Sequence, residues 1–379
     1  MQIDNIAGDC ASGFEPVAEA FARTLQMERE LGGSVCVFKD GEAVVDVWGG
    51  FADAARTRPW ARDTLVNVWS TTKGMLALCG ARLTDQGRLA YDRPVSDYWP
   101  EFAANGKRAI TVAQLFSHQA GVCGLARPVS EDDFYDVDKL ADLLAAEAPH
   151  WPPGTRSGYH ALSIGYLAHG LVRRVTGKSV GEYFRDEIGE PLGVDFHMGV
   201  GPADAGRLAE IAHDGLPQSG GEATFNEFQR LAQVNLPIRF GVANDPRWQA
   251  LGISSAGGSG NARGLARVYG ALATDRRLDG VELVSEQALA AATTLQIQNE
   301  DLVLRFPMSW GIGFALNQGM DVYGPNPKSF GHHGWGGSFA FADPERRLGV
   351  AYTMNFMREP AGAPDPRIQS LVDNVYASL

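Results

Sequence analysis

The chain has 379 residues, of which 45% are hydrophobic and 21% are charged, the balance of an ordinary globular protein. Its formal net charge is −12 and no basic residues cluster, which argues against nucleic acid or an anionic membrane surface as a partner. No segment approaches the roughly 18 uninterrupted apolar residues of a membrane span, and the first residues lack the features of a signal peptide. We therefore expect a cytoplasmic protein.

Cysteine and histidine usage gives no sign of a disulfide or a metal site. The four cysteines are scattered without paired spacing, at Cys10, Cys36, Cys79 and Cys123. Cys36 and Cys79 lie in apolar runs and are expected in the core. The histidines form no HExxH motif, and the adjacent pair His332 and His333 would point in opposite directions on a strand. We expect neither metal nor cofactor.

Both ends of the chain carry β-strand signals. Residues 14–30 show helical spacing, and two β-rich runs, 34–38 and 43–50, are separated by an Asp-Gly turn that predicts a hairpin. Near the other end, further β-rich runs are predicted at 310–316, 329–331, 338–341 and 348–355. A closing helix is predicted at 366–379.

Between about residue 90 and residue 250, helical patterns alternate with loops rich in Pro and Gly. Helices are predicted at 111–118, 137–146, 162–177 and 180–188, and another at 265–272. This order predicts an α+β fold, with one antiparallel sheet built from both chain ends, flanked by helices, and an inserted mainly helical lobe. We expect an α/β domain of residues 1–75 and 251–379, a helical domain of residues 76–250, and an active site in the cleft between them.

The strongest chemical signal lies where an apolar helical run begins. Ser70 is followed three residues later by Lys73, and a helix starting at or just after Ser70 and running to Gly87 would place both side chains on one face. A serine hydroxyl is a weak nucleophile until a neighbouring group takes its proton, which a lysine can do when burial lowers its pKa. The spacing is equally consistent with a helix-capping serine and a solvent-facing lysine.

Two later segments add residue types that could complete such a site. Tyr159 stands between a loop rich in Gly and Pro and a helix, a junction where a side chain can point into a cleft. His332 lies in the Gly-rich run 330–338, where a substrate or another backbone can approach closely. Taken singly, a tyrosine at a helix start is more often a packing residue than a catalytic one, and a Gly-rich run is more often a bulge or a tight turn.

In this order the three segments resemble the serine β-lactamase and penicillin-binding-protein superfamily, most closely its class C-like branch, which includes family VIII carboxylesterases and D-aminopeptidases. The match comprises Ser70-x-x-Lys73, the Tyr159 motif, and His332-His333-Gly334 in the place of the family's Lys-Thr-Gly. Flanking residues 115–121, 153–155 and 342–344 match as well. The resemblance covers almost the whole chain and implies a β-lactamase-like fold.

The resemblance also implies a role for each matching residue. Ser70 would be the nucleophile that becomes acylated, while Lys73 and Tyr159 would transfer its proton, and the sequence leaves open which of them is the general base. The backbone N–H groups of Ser70 and Trp335 would form the oxyanion hole. The implied substrate-binding residues are His332, His333, Gly334, Trp335, Gln119 and Trp69.

Two departures from the β-lactamase pattern favour a different substrate. The family's Tyr-x-Asn is Tyr159-His160-Ala161 here, and we expect that Ala161 can neither bind a substrate amide nor orient Lys73. His332 replaces a lysine that would grip a substrate carboxylate, and a neutral histidine is a poor substitute.

The function that we expect is therefore a serine carboxylesterase acting on short, neutral acyl esters, with a small-molecule ester as its partner. A GxSxG nucleophile elbow is absent, the nearest sequence being residues 252–256. Alternatives within the superfamily are a β-lactamase, a D-aminopeptidase or other amide hydrolase, and an acyltransferase. A non-enzymatic sensor that is acylated once is a different class of alternative.

Overall fold

The computed structural model describes residues 6–213, 225–236, 238–239, 241–358 and 365–379. The first five residues, for which we predict no signal peptide, lie outside these ranges. Residues 214–224 of the predicted helical domain lie outside them as well. The strands are β1 (Ile6–Cys10), β2 (Gly32–Lys39), β3 (Glu42–Gly50), β4 (Val66–Asn67), β5 (Phe196–Met198), β6 (Ala212–His213), β7 (Gly258–Gly260), β8 (Arg277–Leu278), β9 (Val281–Glu282), β10 (Ile297–Glu300), β11 (Pro307–Trp310), β12 (Ala315–Leu316), β13 (Phe330–His333), β14 (Phe339–Asp343), β15 (Leu348–Met354) and β16 (Phe356–Met357). The α-helices are α1 (Glu15–Leu25), α2 (Thr72–Asp85), α3 (Val112–Phe116), α4 (Glu131–Tyr135), α5 (Val137–Ala146), α6 (Ser163–Thr176), α7 (Val180–Phe184), α8 (Glu227–Gln229), α9 (Pro246–Leu251), α10 (Ala262–Leu272), α11 (Glu286–Thr293) and α12 (Pro366–Ala377).

Nine strands form the main sheet, in the order β1-β3-β2-β15-β14-β13-β12-β11-β10. Every neighbouring pair is antiparallel. The two ends of the chain meet at the centre, where β2 pairs with β15 and Val37 lies opposite Val350. The predicted antiparallel sheet, built from the N- and C-terminal segments, is therefore confirmed.

Helices cover both faces of this sheet. All residues of β15 are buried. Gly349 faces α10 so closely that a Cβ atom there would overlap the α10 backbone, whereas Tyr352 packs edge-on against Phe21 of α1 with ring centroids 6.4 Å apart. Residues an odd number of positions apart on a strand point to opposite faces, so α10 and α1 lie on opposite sides of the sheet.

Several element boundaries differ from the sequence predictions for local reasons. The helix predicted over 14–30 ends at Leu25, and Arg29 adopts a left-handed conformation as the chain turns toward β2. The β-run predicted at 310–316 is two strands, because the backbone turns at Gly313, whose φ is +86°. The helix predicted to run to residue 188 changes to π geometry after Phe184. The hairpin of β2 and β3 and the helix α5 are confirmed as predicted.

A second, three-stranded sheet positions the segment that leads to Ser70. Its strand order is β4-β7-β5, and β4 pairs antiparallel with β7. The backbone N–H of Val68 donates to Gly258 O at 2.9 Å, and Gly258 N–H donates to the Thr72 hydroxyl at 3.1 Å. These bonds join the start of α2 to the first residue of β7. Within the described ranges, no helix is both long enough and apolar enough to cross a membrane.

Candidate active site

Ser70 lies at the mouth of helix α2. A single 3-10 turn, Trp69–Thr71, leads directly into the helix, which begins at Thr72 as the sequence predicted. Trp69 has a φ of +49°, an unusual conformation for a bulky side chain, and it turns the chain sharply just before Ser70. Ser70 itself stays partly exposed, next to the positive end of the helix dipole.

The amine of Lys73 is buried and faces the Ser70 hydroxyl. Lys73 is 2% exposed, and its Nζ lies 3.1 Å from Ser70 Oγ. The same nitrogen donates to the main-chain carbonyls of Ala161 and Ser255, both at 2.8 Å. Burial holds the pKa of Lys73 well below its ordinary value. The lysine is therefore held rigidly against Ser70 and loses its proton more readily than an exposed one.

The carbonyl of Ala161 corrects one expectation from the sequence. An alanine side chain cannot hydrogen-bond Lys73, but the main-chain oxygen of Ala161 does so, and the prediction that this position could not orient the lysine is wrong. Ser255, which supplies the second carbonyl, was not singled out from the sequence. Neither contact has a sequence signature, because any residue type presents a backbone carbonyl.

The phenol of Tyr159 reaches the same serine from a distant part of the chain. It lies beside the Ser70 side chain, and its ring centroid lies 4.7 Å from Lys73 Nζ. Burial raises the pKa of Tyr159 above its ordinary value, the nearby Ser70 hydroxyl opposes this effect, and a negative charge at Asp301 adds to it. The phenol is therefore held in its protonated form.

Aromatic rings enclose Tyr159, and two of them were not predicted as site residues. Trp310 stacks on the tyrosine ring at 5.6 Å with an interplanar angle of 4°, and His118 meets it edge-on at 5.0 Å. His118 also binds the backbone on both sides of Tyr159. Its Nδ1 accepts from His160 N–H, and its carbonyl accepts from Gly158 N–H. A signal for His118 exists in the matching run 115–121, whereas Trp310 has none.

The Gly-rich turn after β13 packs directly on the segment before Ser70. Gly334 has no room for a side chain, since a Cβ atom would overlap Val68 O and the Ser338 hydroxyl. Ser338 Oγ donates to Val68 O at 2.8 Å and lies 3.2 Å from Thr71 Oγ1. These contacts hold the turn that contains Trp335 against the segment that leads into Ser70.

The two adjacent histidines point to opposite faces of β13, as predicted. His332 is 5% exposed and stacks near Tyr159, with ring centroids 6.0 Å apart, whereas His333 stacks on Tyr323 at 4.8 Å. His332 Nδ1 must donate to the carbonyl of His333, at 2.7 Å, because a carbonyl only accepts. Burial lowers the pKa of His332 well below its ordinary value, and Lys73, when its amine is protonated, lowers it further. The imidazole is therefore neutral.

Two of the side chains that were predicted to bind substrate, Trp69 and Gln119, are buried and contact other protein side chains. Trp69 is 1% exposed and packs against Trp335 at 5.1 Å and Trp248 at 6.0 Å, so its ring supports Trp335 instead of offering a surface to a ligand. The Gln119 amide donates to Ser117 Oγ at 2.7 Å and is buried. In the described part of the chain, no group of three or more potential metal ligands gathers.

A model of the Beta-lactamase family matches residues 17–373, and the chain belongs to this family. It is 38% identical to the esterase/beta-lactamase LipL of Mycobacterium tuberculosis over 364 residues, which cover 92% of this chain and 82% of that protein. A solved family VIII carboxylesterase shares 44% identity with a TM-score of 0.93, covering 99% of this chain and all of that chain. A penicillin-binding protein homologue from Caulobacter crescentus shares 42% identity with the same TM-score and the same coverage.

Proposed function

We propose that this chain is a serine carboxylesterase that hydrolyses short-chain acyl esters through a covalent acyl-enzyme at Ser70. The observation that carries the proposal is the 3.1 Å separation of Lys73 Nζ from Ser70 Oγ, with the ring centroid of Tyr159 4.7 Å from the same nitrogen. A nucleophile, a base and an acid in mutual contact are what a two-step ester hydrolysis requires. The similarity to LipL and to the family VIII carboxylesterase supports the same activity.

Lys73 is the general base in this proposal. A neutral amine has two N–H bonds and one lone pair, and the carbonyls of Ala161 and Ser255 take up the two N–H bonds. The remaining tetrahedral direction, which holds the lone pair, then faces Ser70 Oγ. Burial lowers the pKa of Lys73, which favours the neutral amine that this step needs.

Tyr159 is the general acid. Burial raises the pKa of its phenol. The phenol therefore keeps its proton and can donate it, whereas a phenolate would accept one. As Ser70 Oγ bonds to the ester carbonyl carbon, the serine proton moves to Lys73. When the carbon–oxygen bond to the alcohol breaks, Tyr159 protonates the departing oxygen and is reprotonated from Lys73. Water then repeats the sequence on the acyl-enzyme, releasing the acid and restoring Ser70.

The negative oxygen of the tetrahedral intermediate would be bound by the backbone N–H groups of Ser70 and Trp335. The proposal is supported by the packing of Gly334 and Ser338 on Val68, which holds the turn next to Trp335 against the segment that leads into Ser70. Loss of one such donor typically costs on the order of 10²–10³ in turnover.

A neutral acyl ester fits this site better than an anionic one. His332 stands where the family's β-lactamases have a lysine, and its buried imidazole carries no charge with which to bind a carboxylate. The partly exposed ring of Trp335 adds an apolar wall beside Ser70. Amide and β-lactam hydrolysis remain the alternative activities that assay must separate from esterase activity.

The same proposal divides the chain into an α/β domain of residues 1–75 and 251–379 and a helical domain of residues 76–250. Ser70 and His332 come from the first and Tyr159 from the second, so the site would lie in the cleft between the two domains. The contact of Lys73 with the carbonyls of Ala161 and Ser255, one from each domain, supports this division.

Turnover of p-nitrophenyl acetate and butyrate, measured beside nitrocefin, tests the proposed function. The parent should release p-nitrophenol steadily and hydrolyse nitrocefin far more slowly, whereas a sensor would give one stoichiometric burst. Intact-protein mass after treatment with an alkyl phosphonofluoridate should show one adduct on the parent and none on Ser70→Ala. Ser285→Ala, which removes a hydroxyl that caps α11, is the matched control and should retain activity. Undiminished ester hydrolysis by Ser70→Ala would overturn the proposal.

A further inference from the structure

Asp301 is a buried carboxylate that the proposed chemistry does not use. It follows directly after β10 and is 0% exposed. In the part of the chain that the structure describes, Asp301 forms no ion pair with a Lys, Arg or His side chain. A buried charge without a cation is costly unless hydrogen bonds compensate for the water it has lost. Such a group therefore calls for an explanation.

Three of the hydrogen bonds that Asp301 accepts come from the surroundings of Tyr159. The backbone N–H of Tyr159 donates to Oδ1 at 2.9 Å, and the hydroxyl of Ser157 donates to Oδ2 at 2.8 Å. The indole N–H of Trp310 makes a longer contact to Oδ2, at 3.4 Å, and the same indole is the ring that stacks on Tyr159. The Asp301 carboxylate thus binds the backbone of Tyr159, the side chain of Ser157, and the indole of Trp310 that stacks on the tyrosine ring.

Two further bonds fix the carboxylate itself. The backbone N–H groups of Val303 and Leu304 donate to Oδ1 at 2.9 Å and 3.1 Å. Four of these five neighbours are N–H groups, which can only donate, and they face both oxygens, so the position favours a carboxylate, which accepts at both ends, over an amide, which accepts at one. An asparagine would turn an NH₂ group toward at least one donor. Packing by itself would not demand this chemistry, because an apolar side chain satisfies packing.

We propose that Asp301 is a positioning residue that holds the phenol of Tyr159 against the Ser70 hydroxyl and the departing alcohol. The inference rests on the proposed function, in which Tyr159 protonates the leaving group. The negative charge of Asp301 also helps to keep the phenol protonated, since it raises the pKa of Tyr159 in the same direction as burial does.

Two butyrate esters with different leaving groups test this role in Asp301→Asn. Ethyl butyrate and p-nitrophenyl butyrate give the same butyryl-enzyme, but only ethoxide needs a proton as it leaves, because p-nitrophenolate is a stable anion. A displaced Tyr159 should therefore lower kcat/KM for ethyl butyrate by about 100-fold and that for p-nitrophenyl butyrate by less than about fivefold. A purely structural defect lowers both by the same factor.

Asp343→Asn is the matched control. Asp343 is also 0% exposed and accepts from the Asn326 amide at 2.6 Å and from Arg346 N–H at 2.9 Å, at the far end of β14. This variant should leave the ratio of the two rates unchanged, whatever it does to stability.

Ser157→Ala and Trp310→Phe each remove one donor to Asp301 and keep the test informative if Asp301→Asn does not fold. Both should shift the ratio in the same direction by a smaller factor. Tyr159→Phe separates the two proposals. If it changes the ratio while Asp301→Asn, or both donor variants, leave it unchanged, the positioning role is overturned and the proposed function stands. If Tyr159→Phe itself leaves the ratio unchanged, the acid role in the proposed function fails.

Discussion

The α-carbon of Gly334 lies against the carbonyl oxygen of Val68, with no space between them for a methyl group. This contact joins the turn after β13 to the residues just before Ser70, and Ser338 reinforces it through its bond to the same carbonyl. Two segments from opposite ends of the chain are thereby held at a separation set by backbone atoms. The proposed oxyanion hole depends on that separation.

Gly334→Ala should therefore disable the enzyme without unfolding it. The added methyl group pushes the turn away from Val68 and moves the Trp335 N–H off the oxyanion, so kcat should fall by about 10²–10³. Gly201→Ala is the matched control, because a Cβ atom there has nothing within 4 Å. Initial rates with p-nitrophenyl butyrate and thermal unfolding of both variants check this prediction, and a fully active Gly334→Ala contradicts it.

Lys73→Met should lower kcat/KM by about 10³-fold or more, because it removes the base from a group of residues that act as a unit. The chain offers a close control in Lys107, another buried lysine, which donates to the carbonyls of Ala104 and Glu147 and whose pKa burial lowers to about 8. Lys107→Met should lower the melting temperature yet leave kcat/KM within about twofold. Equal losses in the two variants would remove the catalytic role of Lys73.

Tyr159→Phe should affect esters according to their leaving groups. Removal of the acid should lower kcat/KM for ethyl butyrate by about 10²–10⁴, with a much smaller effect on p-nitrophenyl butyrate. Tyr166→Phe removes another buried phenol, one that donates to Phe134 O at 2.9 Å, and should cost stability of about 1 kcal/mol without altering the ratio. The paired ester rates of both variants provide the measurement.

His332→Lys should move specificity toward substrates that carry a carboxylate. A cation at this position attracts a carboxylate about 4 Å away by roughly 4 kcal/mol at a protein-surface dielectric, before the cost of dehydration. We expect at least a tenfold rise in the ratio of nitrocefin to p-nitrophenyl butyrate hydrolysis. His332→Gln, which stays neutral, should lower ester rates modestly with no gain on nitrocefin. A ratio that is the same in both variants would argue against a substrate contact at this position.

Stability should fall with acidification below about pH 6.5, in part because of His160. Burial lowers the pKa of this histidine to about 3, so between that value and 6.5 the unfolded chain binds a proton that the folded chain does not. The free energy of unfolding then decreases by up to about 1.4 kcal/mol for each pH unit of acidification. Urea unfolding at pH 7 and pH 5 should show a smaller loss for His160→Gln than for the parent. An identical loss would exclude this contribution.

Much of the fold could be predicted from the sequence, because the turn residues and the hydrophobic periodicity of several segments match the turns and the buried faces that they have in the structure. The Asp-Gly turn between β2 and β3 and the periodicity of α5 agree with the structure. β1 escaped prediction because it is an edge strand, with its central residues exposed and no apolar run. Short strands such as β12 are defined by pairing with a distant partner, which no local pattern records.

The same distinction applies to the site. Ser70, Lys73 and Tyr159 could be singled out because their side chains are chemically distinctive and matched a known order of motifs. The groups that hold them could not, because they are main-chain carbonyls, at Ala161 and Ser255, or an aspartate whose bonds to Ser157 and Tyr159 span 144 and 142 residues of sequence. The type of a residue indicates which reactions its side chain can take part in. Which groups hold that side chain in place depends on which residues lie next to it in the fold, and residue type does not indicate this.

The pairing of β2 with β15 has a consequence for how the protein is made. Ser70 leaves the ribosome well before the turn that carries Trp335 and before β15, the strand that β2 pairs with. While the residues in between are being synthesised, the nascent chain carries its nucleophile without the completed sheet. Hydrolysis should therefore begin only after β15 has paired with β2.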